Sequence, residues 1–233
     1  MKNNSLSVIY EDALILIVDK PAGMLTHPDK KLNQPDVITT LVADHHGSPT
    51  YGVINRLDFN TSGLVMIGKT QDAIKELNRL AIEKQIRKHY LCGVVGYFDY
   101  PEATLTDYLL KDSEQSVVRI SSEELPNSKR IVTRYKVLDE YQGLSLLTVE
   151  LLTGKTHQIR AHLAHHNHPI VGDPLYGYAS INKKLGIKTQ ILCAYRLVFS
   201  IKDASSIFAY MNGKTIEIHR GCTHSLFPNA AIA

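Results

Sequence analysis

The 233-residue sequence has no tryptophan, only three cysteines and no long apolar run. The cysteines, at positions 92, 193 and 222, are too few and too widely spaced for a disulfide framework or a zinc ribbon. They favour a reduced, cytosolic setting. The apolar runs are far too short to span a membrane, and residues 1–7 lack the positive-then-apolar order of a signal peptide. These absences predict a soluble protein of the cytoplasm.

The sequence also lacks a strong charge bias. Its net charge is +3 and its pI is near 8.6. These values are compatible with a polyanionic partner but do not require one, because strongly committed nucleic-acid binders usually have a higher pI. A basic run at residues 84–89 leads into a predicted strand, and such runs usually form a solvated face. Charge alone therefore leaves the partner open.

The pattern of apolar residues predicts an α+β fold. Runs of β-branched residues predict strands at residues 14–18 and 64–67, and alternation predicts an antiparallel pair at residues 131–138 and 144–152. Three helices are predicted: a short one at residues 37–44, an amphipathic one that Thr70 would N-cap, and one that residues 153–156 open and that runs through His166. Residues 101–129 are the least periodic and predict short strands and a mobile loop.

Strands and helices are segregated along the sequence and do not alternate regularly. We therefore expect a mixed, mainly antiparallel central sheet flanked by helices and loops. The length is most simply that of one domain over residues 1–233, or of two closely fused lobes.

Residues 56–58, Arg-Leu-Asp, run into the sequence Asn-Thr-Ser-Gly at residues 60–63. Arg56 and Asp58 project to the same side of an extended backbone, because successive side chains alternate. The residues that follow favour a turn. Asp58 is therefore predicted to be presented at the surface and not buried in a core. Taken alone, the pattern fits a surface Arg/Asp pair at the head of a hairpin.

Residues 63–70 satisfy the sequence pattern of a phosphate-binding loop. The four variable positions are Leu, Val, Met and Ile, which favour an extended strand over a tight loop. The two glycines would then lie at opposite ends of a strand and could not form one nest of backbone N–H groups. The sequence argues against a nucleotide-binding loop.

A cluster of histidines raises the possibility of a metal site. Five of them fall within twelve residues: His157, His162, His165, His166 and His168. On a helix His162 would lie one turn before His165 and His166, so two imidazoles could share an ion. The segment has no Glu and lacks the His-Glu-x-x-His pattern. Polar histidines at a helix end and in a loop are the simpler interpretation.

Three longer stretches have a more specific pattern. They are Arg-Leu-Asp with Thr-Ser-Gly-Leu at residues 56–64, Thr-Gly-Lys-Thr-His-Gln-Ile-Arg-Ala-His-Leu at residues 153–163, and His-Pro-Ile-Val-Gly-Asp-Pro-Leu-Tyr-Gly at residues 168–177. In this order they resemble the catalytic domain of RluA-type pseudouridine synthases. Residues 18–24 resemble the first motif of that family, and residues 88–90 its tyrosine-bearing strand. The resemblance starts too close to the N-terminus for the small RNA-binding module of some relatives.

The resemblance implies isomerisation of uridine in RNA to pseudouridine, in which the base is detached from ribose and rejoined through carbon. No redox change, group donor or metal is required, so no cofactor is expected. Asp58 matches the catalytic aspartate of the family. A carboxylate can act as a nucleophile or stabilise positive charge on a sugar. An adduct at the ribose and an eliminated glycal both remain open.

The resemblance also implies roles for four other residues. Arg160 matches the arginine that pairs with the aspartate, and Tyr90 the tyrosine expected to stack on the flipped uracil and help remove its carbon-bound proton. Arg56 matches the residue that enters the base stack when the target nucleotide leaves, and Leu163 could pack beside the base. The simpler alternatives are a helix-surface cation for Arg160 and core positions for Tyr90 and Leu163.

Two positions depart from the family pattern. Asn55 and Cys193 stand where relatives usually have His, and we expect altered local contacts there and no loss of activity. Residues 112–130 match weakly and could select the substrate through shape and phosphate contacts.

The sequence thus predicts a monomeric, cofactor-independent RNA pseudouridine synthase with a pseudouridine synthase-like fold, acting on ribosomal or transfer RNA. The alternative is a non-catalytic RNA-binding or ribosome-assembly factor on the same scaffold.

Overall fold

The β-branched and alternating segments form strands in the computed structural model, and the amphipathic segments form helices. The structure describes residues 6–29, 34–44, 51–112, 117–218 and 226–227. In chain order the elements are β1 (Ser7–Glu11), β2 (Ile15–Lys20), α1 (Val37–Asp44), β3 (Gly52–Val53), β4 (Ser62–Gly68), α2 (Gln71–Ile82), β5 (Ile86–Val95), β6 (Glu102–Lys111), β7 (Val118–Ser121), β8 (Lys129–Tyr141), β9 (Leu144–Leu151), α3 (Gln158–His165), α4 (Ala179–Leu185), β10 (Leu192–Phe199) and β11 (Thr215–Glu217).

The first of two compact units contains Met1–Lys88 and Ala194–Ile218. Its strands lie in the order β1, β2, β4, β10, with β3 paired to β4 and β11 to β10. The pairings of β1 with β2, of β2 with β4 and of β10 with β11 are antiparallel. Residues 15–18 of β2 and 64–67 of β4 have no exposed surface, so these two strands form the core of the unit.

Helix α2 packs its apolar side within this first unit. Leu77 and Leu80 are fully buried, and each such leucine stabilises the fold by about 1.5–3 kcal/mol relative to an exposed one. Thr70 Oγ1 accepts a hydrogen bond from the Ala73 backbone N at 3.1 Å, so the predicted N-cap is confirmed. The helix begins where the sequence predicts it.

The second compact unit contains His89–Cys193 and His219–Ala233. Its strands lie in the order β5, β9, β8, β6, β7, and all four pairings are antiparallel. Ala161 of α3 packs in one apolar cluster with Leu109 of β6 and Ile131 of β8. This cluster holds α3 against the strands and so fixes the direction of its polar side chains.

The predicted α+β class and mainly antiparallel pairing are confirmed. The helix predicted at residues 37–44 is α1, and the predicted antiparallel pair is β8 and β9. Gln142 and Gly143 in the turn between them have φ values of 49° and 80°. Glycine suits the second of these positions because it adopts positive φ without steric cost.

One expectation about secondary structure is wrong in part and another is wrong. Within residues 101–129, β7 is a short strand as predicted, but β6 is ten residues long, because it pairs with β8 from Glu102 to Leu109 and this pairing outweighs its weak periodicity. The basic run at residues 84–89 does not precede its strand. β5 begins at Ile86, so most of the run belongs to β5.

The reduced state expected for the cysteines is found at Cys92 but not at Cys193. Cys92 is a free, buried thiol, whereas Cys193 is disulfide-bonded. Cys222 lies outside the described residues.

Among the helices in the described part of the chain, none is long and apolar enough to cross a membrane.

Candidate active site

The segment that carries Asp58 is anchored to β4 by the side chain of Asn55. Asn55 Nδ2 donates to the Leu64 backbone oxygen at 3.0 Å, and the Met66 backbone N donates to Asn55 Oδ1 at 2.8 Å. Asn55 is buried. An amide side chain offers both a donor and an acceptor, so Asn55 bonds to β4 much as a neighbouring strand would.

Leu57 provides a second anchor through Thr26. Thr26 Oγ1 donates to the Leu57 backbone oxygen at 2.8 Å and accepts from the Leu57 backbone N at 3.1 Å. Asn55 and Leu57 are buried, whereas Arg56 is exposed and Asp58 is half-buried. This burial pattern agrees with the predicted alternation, in which Arg56 and Asp58 face away from the buried pair.

The chain turns directly after Asp58 and enters β4. The Thr61 backbone N donates to the Asp58 backbone oxygen at 3.0 Å. Gly63 has φ +114°, and a Cβ there would lie 2.3 Å from the Ala194 backbone oxygen, so only glycine fits. Because β4 spans Ser62–Gly68, residues 63–70 are mostly strand and do not form a phosphate-binding loop.

A buried lysine supports the turn that follows Asp58. Lys20 has no exposed surface, and its Nζ donates to the backbone oxygens of Met24 at 2.8 Å, Pro21 at 3.0 Å and Phe59 at 3.3 Å. The Gly23 backbone N donates to the same Phe59 oxygen at 2.9 Å. Lys20 therefore ties the turn after β2 to the turn after Asp58.

Burial lowers the pKa of Lys20 to about 8, and the negative charges of Asp58 and then Asp19 oppose that shift. Lys20 and Asp58 thus interact electrostatically within the first unit. Burial also raises the pKa of Asp19, which the charge of Lys20 partly offsets. The sequence motif at residues 18–24 contains Lys20, but the sequence alone assigned it no role. A lysine that ends an apolar, buried strand was the available signal.

Arg160 lies in α3 of the second unit and forms a buried ion pair with Asp173. Its Nε donates to Asp173 Oδ2 at 2.6 Å and its Nη2 donates to Asp173 Oδ1 at 2.9 Å. The guanidinium carbon lies 5.2 Å from the centre of the Tyr176 ring. The two parallel bonds fix the plane of the guanidinium group. Arg160 is therefore not a helix-surface cation.

Asp173 is the residue of this pair that sequence reasoning missed. Its burial would raise its pKa, but the hydrogen bonds and charge of Arg160 outweigh that effect and lower the pKa. The backbone N atoms of Leu175 and Tyr176 also donate to Asp173 Oδ1, at 2.8 and 3.1 Å. Its place in the motif at residues 168–177 was the available signal.

Tyr90 and Leu163 are both buried in the second unit. Tyr90 lies in β5, opposite Val149 of β9, and Leu163 lies in α3 with no exposed surface. Asp58 and Arg56 belong to the first unit, whereas Tyr90, Arg160 and Leu163 belong to the second. The pairing of Asp58 with Arg160 stays a prediction.

The clustered histidines do not all share one partner. His162 Nε2 and His166 Nε2 lie 2.9 and 2.7 Å from Asp107 Oδ2. His165 Nε2 lies 3.2 Å from Ser122 Oγ. Only His162 and His166 therefore share an anionic partner among the described side chains of this cluster.

Two pKa shifts accompany this histidine contact. Burial would raise the pKa of Asp107, but its hydrogen bonds from His166 and His162 outweigh burial and lower it. Burial lowers the pKa of His162, which the contact with Asp107 partly offsets. These shifts favour the ionised carboxylate of Asp107 and the neutral imidazole of His162.

A comparison with known protein families identifies the family of the chain. The sequence model of the RNA pseudouridylate synthase family matches residues 14–165, which include Asp58, Tyr90 and Arg160. The chain belongs to the RNA pseudouridylate synthase family. This finding confirms the resemblance on which the site assignments rest.

Individual members of the RNA pseudouridylate synthase family match most of the chain. An uncharacterized RNA pseudouridine synthase of Mycoplasma pneumoniae is 36% identical and covers 86% of this chain and 64% of its own length. The ribosomal large subunit pseudouridine synthase C of Vibrio cholerae is 31% identical, covering 91% and 64%. The ribosomal large subunit pseudouridine synthase D of Nitrosomonas europaea is 33% identical, covering 75% and 51%. The chain spans about half to two-thirds of the length of these relatives.

Two solved structures share the fold. Human RNA Pseudouridylate Synthase Domain Containing 1 has a TM-score of 0.72 at 25% identity and covers 85% of this chain and 80% of its own. Human RNA Pseudouridylate Synthase Domain Containing 4 has a TM-score of 0.72 at 18% identity, covering 91% and 88%. The predicted pseudouridine synthase-like fold is confirmed.

Proposed function

We propose that this chain is an RNA pseudouridine synthase that isomerises uridine in ribosomal or transfer RNA, with Asp58 as the catalytic carboxylate. The proposal treats residues 1–233 as one catalytic domain, active as a monomer in the cytoplasm and without a cofactor. The observation that carries it is the anchoring of the Asp58 segment. Asp58 is half-buried between a residue bonded to Thr26 and a turn bonded to Lys20.

The anchoring suits a group that must meet one sugar carbon. A catalytic carboxylate acts best when its position is set before the substrate arrives, since orientation is then not lost at the reacting step. Asn55 and Leu57 restrain the backbone on one side of Asp58, and the turn that includes Thr61 restrains it on the other. Such a carboxylate could attack the ribose or stabilise charge on it.

Arg56, Arg160, Tyr90 and Leu163 complete the proposed machinery. Arg56 is exposed on the side of the segment that Asp58 shares, which suits entry into the base stack once the uridine has left it. We assign Arg160 to the orientation of Asp58, Tyr90 to stacking on the flipped uracil and Leu163 to packing beside the base. The bond of Arg160 to Asp173 would hold the guanidinium in one direction for that task.

The choice of ribosomal RNA rests on the names of relatives. Two of them are ribosomal large subunit pseudouridine synthases, C of Vibrio cholerae and D of Nitrosomonas europaea. We infer that ribosomal RNA is the first substrate to test, with transfer RNA second.

The test uses purified wild-type protein, Asp58→Asn and Asp72→Asn with ribosomal RNA transcripts that lack modification. Asp72 is an exposed carboxylate in the first turn of α2 and serves as the matched control. We expect wild type and Asp72→Asn to form pseudouridine, and Asp58→Asn to bind RNA without conversion. Conversion by Asp58→Asn would contradict the assignment of Asp58. RNA binding without conversion by the wild type would favour the non-catalytic factor.

A further inference from the structure

Asp107 and two histidines form a compact set of possible metal ligands in the second unit. Asp107 lies in β6, His162 in α3 and His166 at the C-cap of that helix. One ligand atom from each of the three lies within 4.8 Å of the others. The histidine segment itself has no carboxylate, and Asp107 supplies one from a strand 55 residues earlier.

The burial of the three side chains suits a site with one open side. The side chain of His162 has no exposed surface, that of Asp107 is 6% exposed and that of His166 is 37% exposed. Two imidazole nitrogens and a carboxylate oxygen are ligands that Zn²⁺ and similar transition-metal ions accept in tetrahedral sites. An ion could enter beside His166 and keep a water molecule as its fourth ligand.

A chain of hydrogen bonds directs the His162 ring toward this set. His162 Nδ1 lies 2.8 Å from Thr133 Oγ1, and Gln158 Nε2 donates to the same hydroxyl oxygen at 3.0 Å. Gln158 is held in turn by the Val132 backbone oxygen at 3.2 Å. A metal-bound histidine commonly donates the N–H of its second ring nitrogen to an oxygen, and Thr133 Oγ1 is placed to accept from His162 Nδ1 once Nε2 binds an ion. The arrangement leaves His162 Nε2 facing Asp107.

The rearrangement needed for an ion is small. The Nε2 atoms of His162 and His166 now lie 2.9 and 2.7 Å from Asp107 Oδ2. Ligands about 2.0–2.1 Å from a tetrahedral Zn²⁺ lie about 3.3–3.4 Å from one another. Both distances would have to lengthen by about 0.4–0.7 Å, which needs a small shift of the Asp107 carboxylate together with an outward rotation of the partly exposed His166 ring.

We propose that Asp107, His162 and His166 bind one divalent transition-metal ion through a carboxylate oxygen and the two Nε2 atoms. The ion would link the C-terminal end of α3 to β6 in place of the shared hydrogen bonds. The proposed isomerisation has no step that needs this ion, so its effect is on the stability of the second unit.

The test titrates Zn²⁺ into the chelator-treated full chain and into the variants His166→Gln and His165→Gln. His165 is an exposed neighbour bonded to Ser122 and lies outside the ligand set. We expect one Zn²⁺ per wild-type chain, with a rise in Tm. His166→Gln should weaken binding at least tenfold and remove the Tm rise, whereas His165→Gln should keep both.

Cobalt supplies a measurement that does not depend on a variant. Co²⁺ added to the wild type should give the intense visible bands of a tetrahedral site with nitrogen and oxygen ligands, and Zn²⁺ should displace them. Absence of stoichiometric binding by the wild type would overturn the proposal. Equal losses in His166→Gln and His165→Gln would overturn it as well.

Discussion

Lys20 Nζ donates a hydrogen bond to the backbone oxygen of Phe59, the residue directly after Asp58. The same ammonium group bonds to the turn that follows its own strand, through Met24 and Pro21. A fully buried lysine is uncommon, since its charge must be compensated by polar partners. We infer that Lys20 positions Asp58. Replacing Lys20 should therefore have effects that replacing an exposed lysine does not have.

Replacing Lys20 by methionine should weaken both the fold and the reaction. The variant removes the donor of the buried Met24 oxygen and of the part-buried Pro21 oxygen, while the Phe59 oxygen keeps the Gly23 backbone N as a donor. A buried oxygen left without its donor costs about 1–3 kcal/mol. We expect a lower free energy of unfolding in urea and slower conversion of uridine. Lys75→Met, on the exposed side of α2, should change stability by less than about 0.5 kcal/mol. Matching values for the two variants would refute the positioning role.

The depressed pKa of Lys20 predicts a distinct dependence of stability on pH. The folded pKa is about 8 against an ordinary value of 10.5, so between these values the unfolded chain binds more protons than the folded one. Stability therefore rises with pH across this window, and the penalty for burying the charge is complete below about pH 8. The free energy of unfolding of wild type minus that of Lys20→Met should grow from pH 8 to pH 10.5, by up to roughly 3 kcal/mol.

Lys75→Met is the control for that titration as well. The free energy of unfolding of the wild type minus that of Lys75→Met should stay constant from pH 8 to pH 10.5, because an exposed lysine has the same pKa in the folded and unfolded chain. A flat difference for Lys20→Met would mean that the Lys20 pKa is ordinary in the folded protein.

Asn55→Ala should loosen the Asp58 segment from β4. The variant removes both bonds of the Asn55 amide and leaves the Leu64 oxygen and the Met66 N–H without partners. We expect a loss of about 1–3 kcal/mol in urea unfolding and a lower rate of conversion. Asn60→Ala, at a half-buried position of the turn nearby, removes neither of these two hydrogen bonds and should have a smaller effect on both stability and rate. If both alanine variants behaved alike, the anchoring account would be wrong.

The ion pair of Arg160 with Asp173 should tolerate neither partial nor complete disruption. Asp173→Asn leaves the Arg160 charge buried without its carboxylate, which costs about 3–5 kcal/mol. Arg160→Lys keeps the charge but loses the paired donors, so we expect slower conversion with a smaller loss of stability. Arg134, whose bond to Glu150 is 3.2 Å long and whose side chain is 55% exposed, gives the control Arg134→Lys. Urea unfolding and uridine conversion of each variant report the two effects.

Local features of the fold were readable from the sequence. The apolar run at residues 64–67 predicted β4 and excluded a phosphate-binding loop, because β-branched and long apolar side chains favour a strand. Thr70 predicted the start of α2, since a threonine N-cap satisfies a free backbone N–H of the first turn. These signals act over a few residues, which is the range that a sequence pattern reports.

Contacts between residues that lie far apart in the sequence could not be predicted from local patterns. Lys20 and Phe59 are 39 residues apart, and Asp107 and His162 are 55 residues apart. Such contacts depend on which strands pair, and the pairing of β6 with β8 also overrode the weak pattern of residues 101–129. Family resemblance supplied Asp58 and Arg160 as candidates, but only the structure identified Asp173 and Lys20 as groups that hold these segments.

The most direct test of the central claim is pseudouridine mapping across cellular RNA. Cells that carry the wild-type gene, the Asp58→Asn gene and no gene would be compared at single-nucleotide resolution. We predict at least one pseudouridine, first sought in ribosomal RNA, that is present with the wild type and missing in both other strains. Unchanged pseudouridine at every position in the Asp58→Asn strain would contradict the assignment of Asp58 as the catalytic carboxylate.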